Sequence, residues 1–295
     1  MRRMLPVFLG LGLLTALTAC PGGVPKGPDT PDVPDRPGGG GGEVNPNGCG
    51  GYASTDIGAK IQSFLKATVA LDKAISDAEN HVKLACVDMG KAMKMSGGAL
   101  EGDTKTVCSG VAKELEGNLE AGIKAEAELA IEYKPAVCTV DASAQASAQA
   151  ECAGSGTAGT GGSSGSGACE GAAVVEASLE MTCTPAELNV AYGAEVVVDK
   201  AKLEMAVAAI KVGLPKLANV YARVKVLEKA AVEWSESAAA LVDGGRSILS
   251  DLGDQVLCVS GQLAAAADMA AGMMGSVEVS VSVSVEVSGS AGASM

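Results

Sequence analysis

The sequence has few aromatic residues and almost no histidine. Its 295 residues include two Phe, four Tyr, one Trp and one His. Small-molecule pockets are lined mostly by large apolar and aromatic side chains, so this composition disfavours a large ligand cavity. No nucleophile is marked out for the one histidine, His81, and we expect it to be a solvent-facing or satisfied residue. We therefore predict that the protein is not an enzyme.

Basic residues are also scarce. The chain has 22 Lys and Arg against 35 Asp and Glu, which gives a net charge of −13. Nucleic-acid binding needs clustered Lys and Arg, so we expect no nucleic-acid partner. The sequence contains no Cys-x-x-Cys pair, no calcium-loop spacing and no Gly-rich phosphate loop after a strand. We therefore expect no metal site and no cofactor.

The N-terminus reads as an export signal. Residues 1–19 carry two arginines followed by an apolar stretch, which is typical of a signal peptide. The stretch ends in Leu17-Thr18-Ala19-Cys20, which resembles the lipobox of bacterial lipoproteins. The resemblance implies cleavage before Cys20, a lipid on its sulfur and the membrane as a partner. Pro21 differs from the aspartate that signals inner-membrane retention in some bacteria, so the resemblance favours the outer membrane, facing the periplasm or the cell surface.

The residues after the lipobox are predicted to form a tether. Removal of residues 1–19 takes away two arginines and no acidic residue, so the net charge falls from −13 to −15. With Cys20 lipidated, eight cysteines remain, an even number that fits disulfides in an exported protein. Prolines recur at every third position from Pro25 to Pro37, a pattern of extended polyproline II, and glycines follow. We assign 20–53 to the lipidated cysteine and tether, and 54–295 to the folded body.

Cysteine spacing predicts a hairpin in the middle of the chain. The residue numbers of Cys138 and Cys183 add up to 321, and so do those of Cys152 and Cys169. Opposed residues of an antiparallel hairpin have a constant sum, so one register brings both pairs together. Small apolar residues then alternate with polar ones, which indicates strands. We predict a β-hairpin over 136–183, framed by disulfides at 138/183 and 152/169.

Helices are predicted on both sides of this hairpin. Apolar residues from Ile57 to Ala92 follow alternating spacings of four and three, the pattern of a helix packed in coiled-coil fashion, with Thr68 as the one polar member. A second helix is predicted from about residue 103 toward Tyr133. Cys86 and Cys108 lie at equal distances along the chain from the turn between these helices, which favours a disulfide between them. Elimination leaves Cys49 with Cys258, although four cysteines allow three connectivities.

The C-terminal third is predicted to hold two helices and a strand. Thr184-Pro185 suggests the start of the third helix, and the fourth begins near Ile248. Val277 to Val287 alternates Val with Ser or Glu, which predicts a strand over 276–288 that either adds to the edge of the hairpin or packs across it. The expected fold is mainly α with a small antiparallel β element. We expect an elongated four-helix bundle or coiled-coil body with a disulfide-framed β-hairpin (138–183) and a C-terminal strand.

These features favour a membrane-anchored envelope lipoprotein with a structural or protein-interaction role, as a spacer, scaffold or adhesin. The mature chain resembles uncharacterised Gly/Ala-rich envelope lipoproteins, a resemblance that carries no functional residue. Its expected partners are the membrane, through the lipid on Cys20, and an envelope protein or a second copy of the chain. Two alternatives remain. One is a membrane-active protein similar in outline to helical pore formers, and the other is a small-ligand binding lipoprotein.

Overall fold

A computed structural model describes residues 44–124, 129–154, 166–243 and 250–292. Within these residues the chain is mainly helical with a small antiparallel β element, as predicted. The helices and strands, in chain order, are α1 Asp56–Ala92, α2 Thr104–Gly122, β1 Ala130–Lys134, β2 Val137–Thr139, α3 Ala142–Gly154, α4 Ser166–Leu179, β3 Thr182–Thr184, β4 Glu187–Ala191, α5 Lys200–Asp243 and α6 Val256–Ser290.

Helix α1 follows the predicted apolar seam. Thr55 caps its N-terminus, because its side-chain oxygen accepts a hydrogen bond from the backbone N–H of Gly58 at 3.0 Å. The seam from Ile57 to Met89 is buried, including Thr68. The helix ends at Ala92, and Lys94 then takes a positive φ of 60° that turns the chain. The predicted helix over 57–92 is therefore confirmed.

The three long helices α1, α5 and α6 pack on one another and form the centre of the body. Helix α5 runs antiparallel to α1, because Trp234 meets Thr68 while Lys216 meets Asp88. Helix α2 packs on all three long helices, and α4 packs on α1 and α5. The buried side chains form two apolar clusters along this bundle, one around Trp234 and one around Met89.

The chain between α2 and α5 forms a long antiparallel arm. Its ribbon keeps the predicted sum of 321 from the pair Ala130–Ala191 to the pair Cys138–Cys183. The ribbon is interrupted at residues 135–136 and 185–186, where Pro135 and Pro185 have no N–H to donate to a ladder. The ribbon occupies residues that the sequence assigned to the end of the second helix and the start of the third, so both predicted helices were too long. The second helix ends at Gly122, and no helix starts at Thr184-Pro185, because the ladder of the ribbon holds residues 130–134 and 187–191 as strands.

The part of the arm between β2 and β3 is helical. The predicted β-hairpin over 136–183 is therefore wrong outside strands β2 and β3. Helices α3 and α4 pack against each other there. The alternating small residues are largely alanines, and alanine is the best helix former. In α3 the buried residues are Ala148 and Cys152, four positions apart on one helical face. A constant sum belongs to any antiparallel hairpin, so it did not distinguish strands from helices.

The predicted C-terminal strand over 276–288 is also wrong, because these residues lie within helix α6. The helical period brings Val277, Ser280, Ser284 and Val287 to the same buried face. That face packs on α1, α2 and α5, and such tertiary contacts override the strand preference of a Val-rich segment.

The folded body begins before residue 54. Val44, Cys49 and Tyr52 are buried, and the backbone N–H of Asn45 donates to the side chain of Gln262 in α6 at 2.6 Å. Residues 44–53, which the composition placed in the tether, therefore pack on the bundle. The rest of the predicted tether, the signal peptide and Cys20 lie outside the described residues.

Candidate functional site

All eight cysteines in the described residues form disulfides. The pairs are those expected from the sequence: Cys49–Cys258, Cys86–Cys108, Cys138–Cys183 and Cys152–Cys169. The lipidation candidate Cys20 is the one remaining cysteine of the chain. Four disulfides are compatible with an exported protein, since such bonds persist in oxidising compartments.

Each disulfide joins two elements that only tertiary structure brings together. Cys86–Cys108 links α1 to α2, and Cys49–Cys258 links the segment before α1 to the first turn of α6. The other two lie along the arm, one between strands β2 and β3 and one between helices α3 and α4. The two sides of the arm are thus covalently joined at two positions along its length, so they cannot separate from each other.

A solvent-open cavity lies between the ribbon, α4 and α5. We call it the ribbon groove. Its volume is about 680 Å³, within the range of small-molecule sites. Its floor on α5 is formed by small residues that leave the space unfilled: Ala218, Ala222 and Ala230. Val137 of β2, which is 53% exposed, lies at the groove with the Cys138 disulfide beside it.

The polar residues that line the ribbon groove include two tyrosines and two lysines. Burial raises the pKa of Tyr133, and the nearby Tyr221 raises it further. The hydrogen bond to Glu228 raises the pKa of Lys225 above that of a free lysine. Lys229 lies 3.7 Å from the carboxylate of Glu233. Both ammonium groups of the groove are therefore already neutralised by neighbouring carboxylates, and its electrostatic pull on an anion is small.

The residues considered for chemistry in the sequence do not converge on the ribbon groove. His81 is exposed on α1 and lines a different, smaller cavity. On α2, Glu116 and Glu120 are exposed and do not line the groove. In the part of the chain that the structure describes, no group of three or more His, Cys, Asp or Glu is placed to hold a metal ion. Sequence reasoning missed Tyr133 and Tyr221, whose only signal was that aromatic residues are rare in this chain.

One helical stretch of the described residues, Leu252–Ser290, is long and apolar enough to cross a membrane by length and composition. It contains helix α6, whose residues Val259, Leu263 and Met273 belong to the apolar core of the bundle. Core helices of folded bodies share this length and composition, but they are mostly buried, whereas only 22% of the apolar window of this stretch is buried. Its outward face includes Leu257, which is 85% exposed.

Comparison of the chain with protein-family models, with curated proteins and with solved structures found no match. The fold and its surface features are therefore the basis for the function. They define a disulfide-bonded, mainly helical body with an antiparallel arm packed along two of its long helices.

Proposed function

We propose that the protein is a lipid-anchored lipoprotein of the bacterial cell envelope with a structural or protein-interaction role and no catalytic one. The observation that carries the proposal is the division of its nine cysteines. Eight are paired in the body, and the ninth, Cys20, stands at the lipobox position. A lipidated Cys20 accounts for the odd cysteine of an otherwise fully paired exported protein.

The interaction role is supported by what the body offers to a partner. Its surface is helical and the chain is acidic, and four disulfides suit a protein that must keep its shape outside the cytoplasm. The outer membrane is the proposed location, with Pro21 following the lipidated cysteine. A body of this kind acts as a spacer, scaffold or adhesin held at the membrane by its lipid.

The anchor is tested by the Cys20→Ser variant. In cells fed a palmitate analogue, the wild-type protein is expected to carry the label and to partition with membranes, whereas Cys20→Ser is expected to be unlabelled. The matched control is Val24→Ala, which lies close to the lipobox and should be labelled like wild type. Label retained by Cys20→Ser, or an unmodified Cys20 thiol in the mature wild-type protein, would contradict the proposal.

The side of the membrane is tested on intact cells with a protease and an amine-reactive label, using a periplasmic protein as the control. Digestion or labelling of the body on intact cells assigns it to the surface, where adhesion and recognition become its tasks. Protection until the outer membrane is opened assigns it to the periplasm as a spacer or scaffold.

A second candidate function is membrane activity, and the length and apolar composition of Leu252–Ser290 favour it. For that function the helix would have to leave the bundle and enter a bilayer. Leakage of dye from liposomes by micromolar protein is the expected result if it does. Intact liposomes at the same protein concentration would remove this candidate.

A further inference from the structure

We propose that a cavity between α1 and α5 binds a singly charged carboxylate attached to a compact apolar group. We call it the α1–α5 cavity. It lies between two fixed contacts of the helices, the bond from Trp234 to Thr68 and the ion pair from Lys216 to Asp88, which is 2.6 Å long. Its volume is about 330 Å³, at the small end of the range for ligand sites.

On the α1 side the cavity is bordered by small residues, Ala74 and Ala78, which leave space opposite α5. Above it Phe64 stacks on Trp234, and below it Met89 fills the space beside Gly213, where a Cβ atom would lie 2.0 Å from the Met89 Cγ. Between these filled layers the walls on α1 and α5 and the turn after α4 are apolar: Ala74, Ala78, Val220, Leu227, Leu179 and Met181.

Four polar side chains line the same cavity. Asp77 and His81 lie four residues apart on α1, and Asn219 and Arg223 lie four residues apart on α5. Residues four apart share one face of a helix, so each pair is presented together. His81 is the only histidine of the chain, and Arg223 is the only arginine of the described residues. His81 and Arg223, both exposed, thus line one cavity from two different helices.

The amide of Asn219 is held in one orientation. Its Oδ1 accepts a hydrogen bond from the backbone N–H of Ala186 at 2.8 Å. A backbone N–H only donates, so the oxygen of the amide must be the atom that faces it. The Nδ2 group is then the part of Asn219 that remains to donate to a ligand. The ribbon thereby positions a donor on α5 for the cavity.

Among the described residues no ion pair reaches the guanidinium of Arg223. Seven of the sixteen described lysines are ion-paired: Lys60, Lys73, Lys134, Lys200, Lys216, Lys225 and Lys229. A guanidinium forms two parallel hydrogen bonds with a carboxylate, a geometry that lysine does not offer. An unpaired arginine beside an apolar wall in a protein of net charge −13 is therefore suited to a ligand carboxylate.

Charge limits the ligand to a single negative charge. Asp77 lies at the same cavity with its charge paired to Lys73, so the repulsion of a dianion such as a phosphate monoester comes from the strongly acidic protein as a whole. The alanine, leucine and methionine walls favour a small apolar body behind the carboxylate. A free aliphatic acid and the C-terminal carboxylate of a polypeptide share this chemistry, and the experiment distinguishes them.

The test is isothermal titration calorimetry on the purified full chain. The probes are N-acetyl-leucine and a hexapeptide ending in leucine, each compared with its C-terminal amide. We expect the acids to bind at least tenfold more tightly than the amides, since a charge-assisted bidentate contact is lost in the amide. A hexapeptide that binds more tightly than N-acetyl-leucine assigns the site to a chain end, and the reverse order assigns it to a free acid.

Variants locate the binding in the cavity. Arg223→Gln is expected to weaken binding of the acids at least tenfold, Arg223→Lys less, and Ala78→Leu to block binding by filling the space. Lys225→Gln, an equal loss of charge two residues away on α5, should leave the affinity unchanged. Fluorescence of the single tryptophan checks that each variant is folded. Equal affinity for acids and amides, or binding unaffected by Arg223→Gln, would overturn the proposal, and neither result depends on lipidation of Cys20.

Discussion

The indole Nε1 of Trp234 donates a hydrogen bond to Oγ1 of Thr68 across 3.1 Å, and both residues are fully buried. The Thr68 hydroxyl in turn donates to the backbone oxygen of Phe64 at 2.9 Å, and the Phe64 ring stacks on the indole with centroids 5.6 Å apart. The one polar residue in the seam of α1 therefore satisfies the one tryptophan of the chain, which a buried apolar residue there would leave without a partner.

Substitution of Thr68 by Val tests this bond. Valine keeps the shape and removes the acceptor, so the buried indole N–H is left unsatisfied. We expect the free energy of unfolding to fall by about 1–3 kcal/mol in urea titrations followed by the fluorescence of Trp234. Thr139→Val, at an exposed ribbon position, is the control and should change stability by less than about 0.5 kcal/mol. Equal effects of the two variants would show that the bond contributes nothing.

Serines of helix α6 give a test of its helical conformation. The hydroxyls of Ser280 and Ser284 are buried without a hydrogen-bond partner among the described residues, whereas Ser282 is exposed. Ser280→Ala and Ser284→Ala remove a buried unsatisfied group, so we expect each to raise the free energy of unfolding by about 1 kcal/mol or more. Ser282→Ala should gain only the helix propensity of alanine, about 0.5 kcal/mol.

A strand over the same residues predicts a different result. All three serines would then lie on one face, two residues apart, and their alanine variants would behave alike. Thermal and urea unfolding of the three variants therefore decides between the helix of the structure and the strand that the Val/Ser alternation suggested.

Two glycines of α2 are predicted to respond in opposite directions to alanine. At Gly122 a Cβ atom would lie 2.9 Å from the backbone N and Cα of Leu203, so α2 approaches the start of α5 at backbone distance. At Gly117 nothing lies within 4 Å of the added atom. Gly122→Ala should destabilise by about 1–3 kcal/mol through overpacking. Gly117→Ala should stabilise by about 0.5–1 kcal/mol through reduced chain entropy in the unfolded state. A gain in both urea midpoints would contradict the close contact.

Tyr52 predicts a loss of stability at high pH. Burial raises its pKa to about 12, and its hydroxyl donates to the backbone oxygen of Pro46 at 2.7 Å. The folded chain holds this proton more tightly than the unfolded chain, where tyrosine has a pKa of about 10. Its contribution is therefore complete below pH 10 and is lost as the pH rises from 10 toward 12.

The measurement is an absorbance titration of the tyrosines with parallel unfolding experiments between pH 9 and pH 12. The Tyr52→Phe variant should lack the latest-titrating phenol and show a shallower fall in stability over this range. Tyr192→Phe, an exposed position, is the control and should keep both features. A Tyr52→Phe variant with the wild-type slope would show that another group causes the loss.

The sequence by itself determined the elements whose signal is local or arithmetic. The seam from Ile57 to Met89 required a helix because its apolar spacing matches the helical period over many turns. Two cysteine pairs followed from a constant sum and Cys86–Cys108 from equal distances to a turn, whereas Cys49–Cys258 was left by elimination. The register through Cys138 and Cys183 holds along the whole ribbon.

Only the tertiary structure decided the conformation of the segments with small side chains. Alanine, serine and valine in alternation mark two faces for a strand, yet they bury equally well on a helix, so residues 142–154 and 277–287 followed their neighbours. The placement of His81 and Arg223 at one cavity was also beyond the sequence, since the residues are far apart in the chain and share the cavity only because α5 packs antiparallel to α1. A long apolar seam specifies a helix by its spacing alone. A segment of small residues fits either a helix or a strand, and its packing against neighbouring elements decides between them.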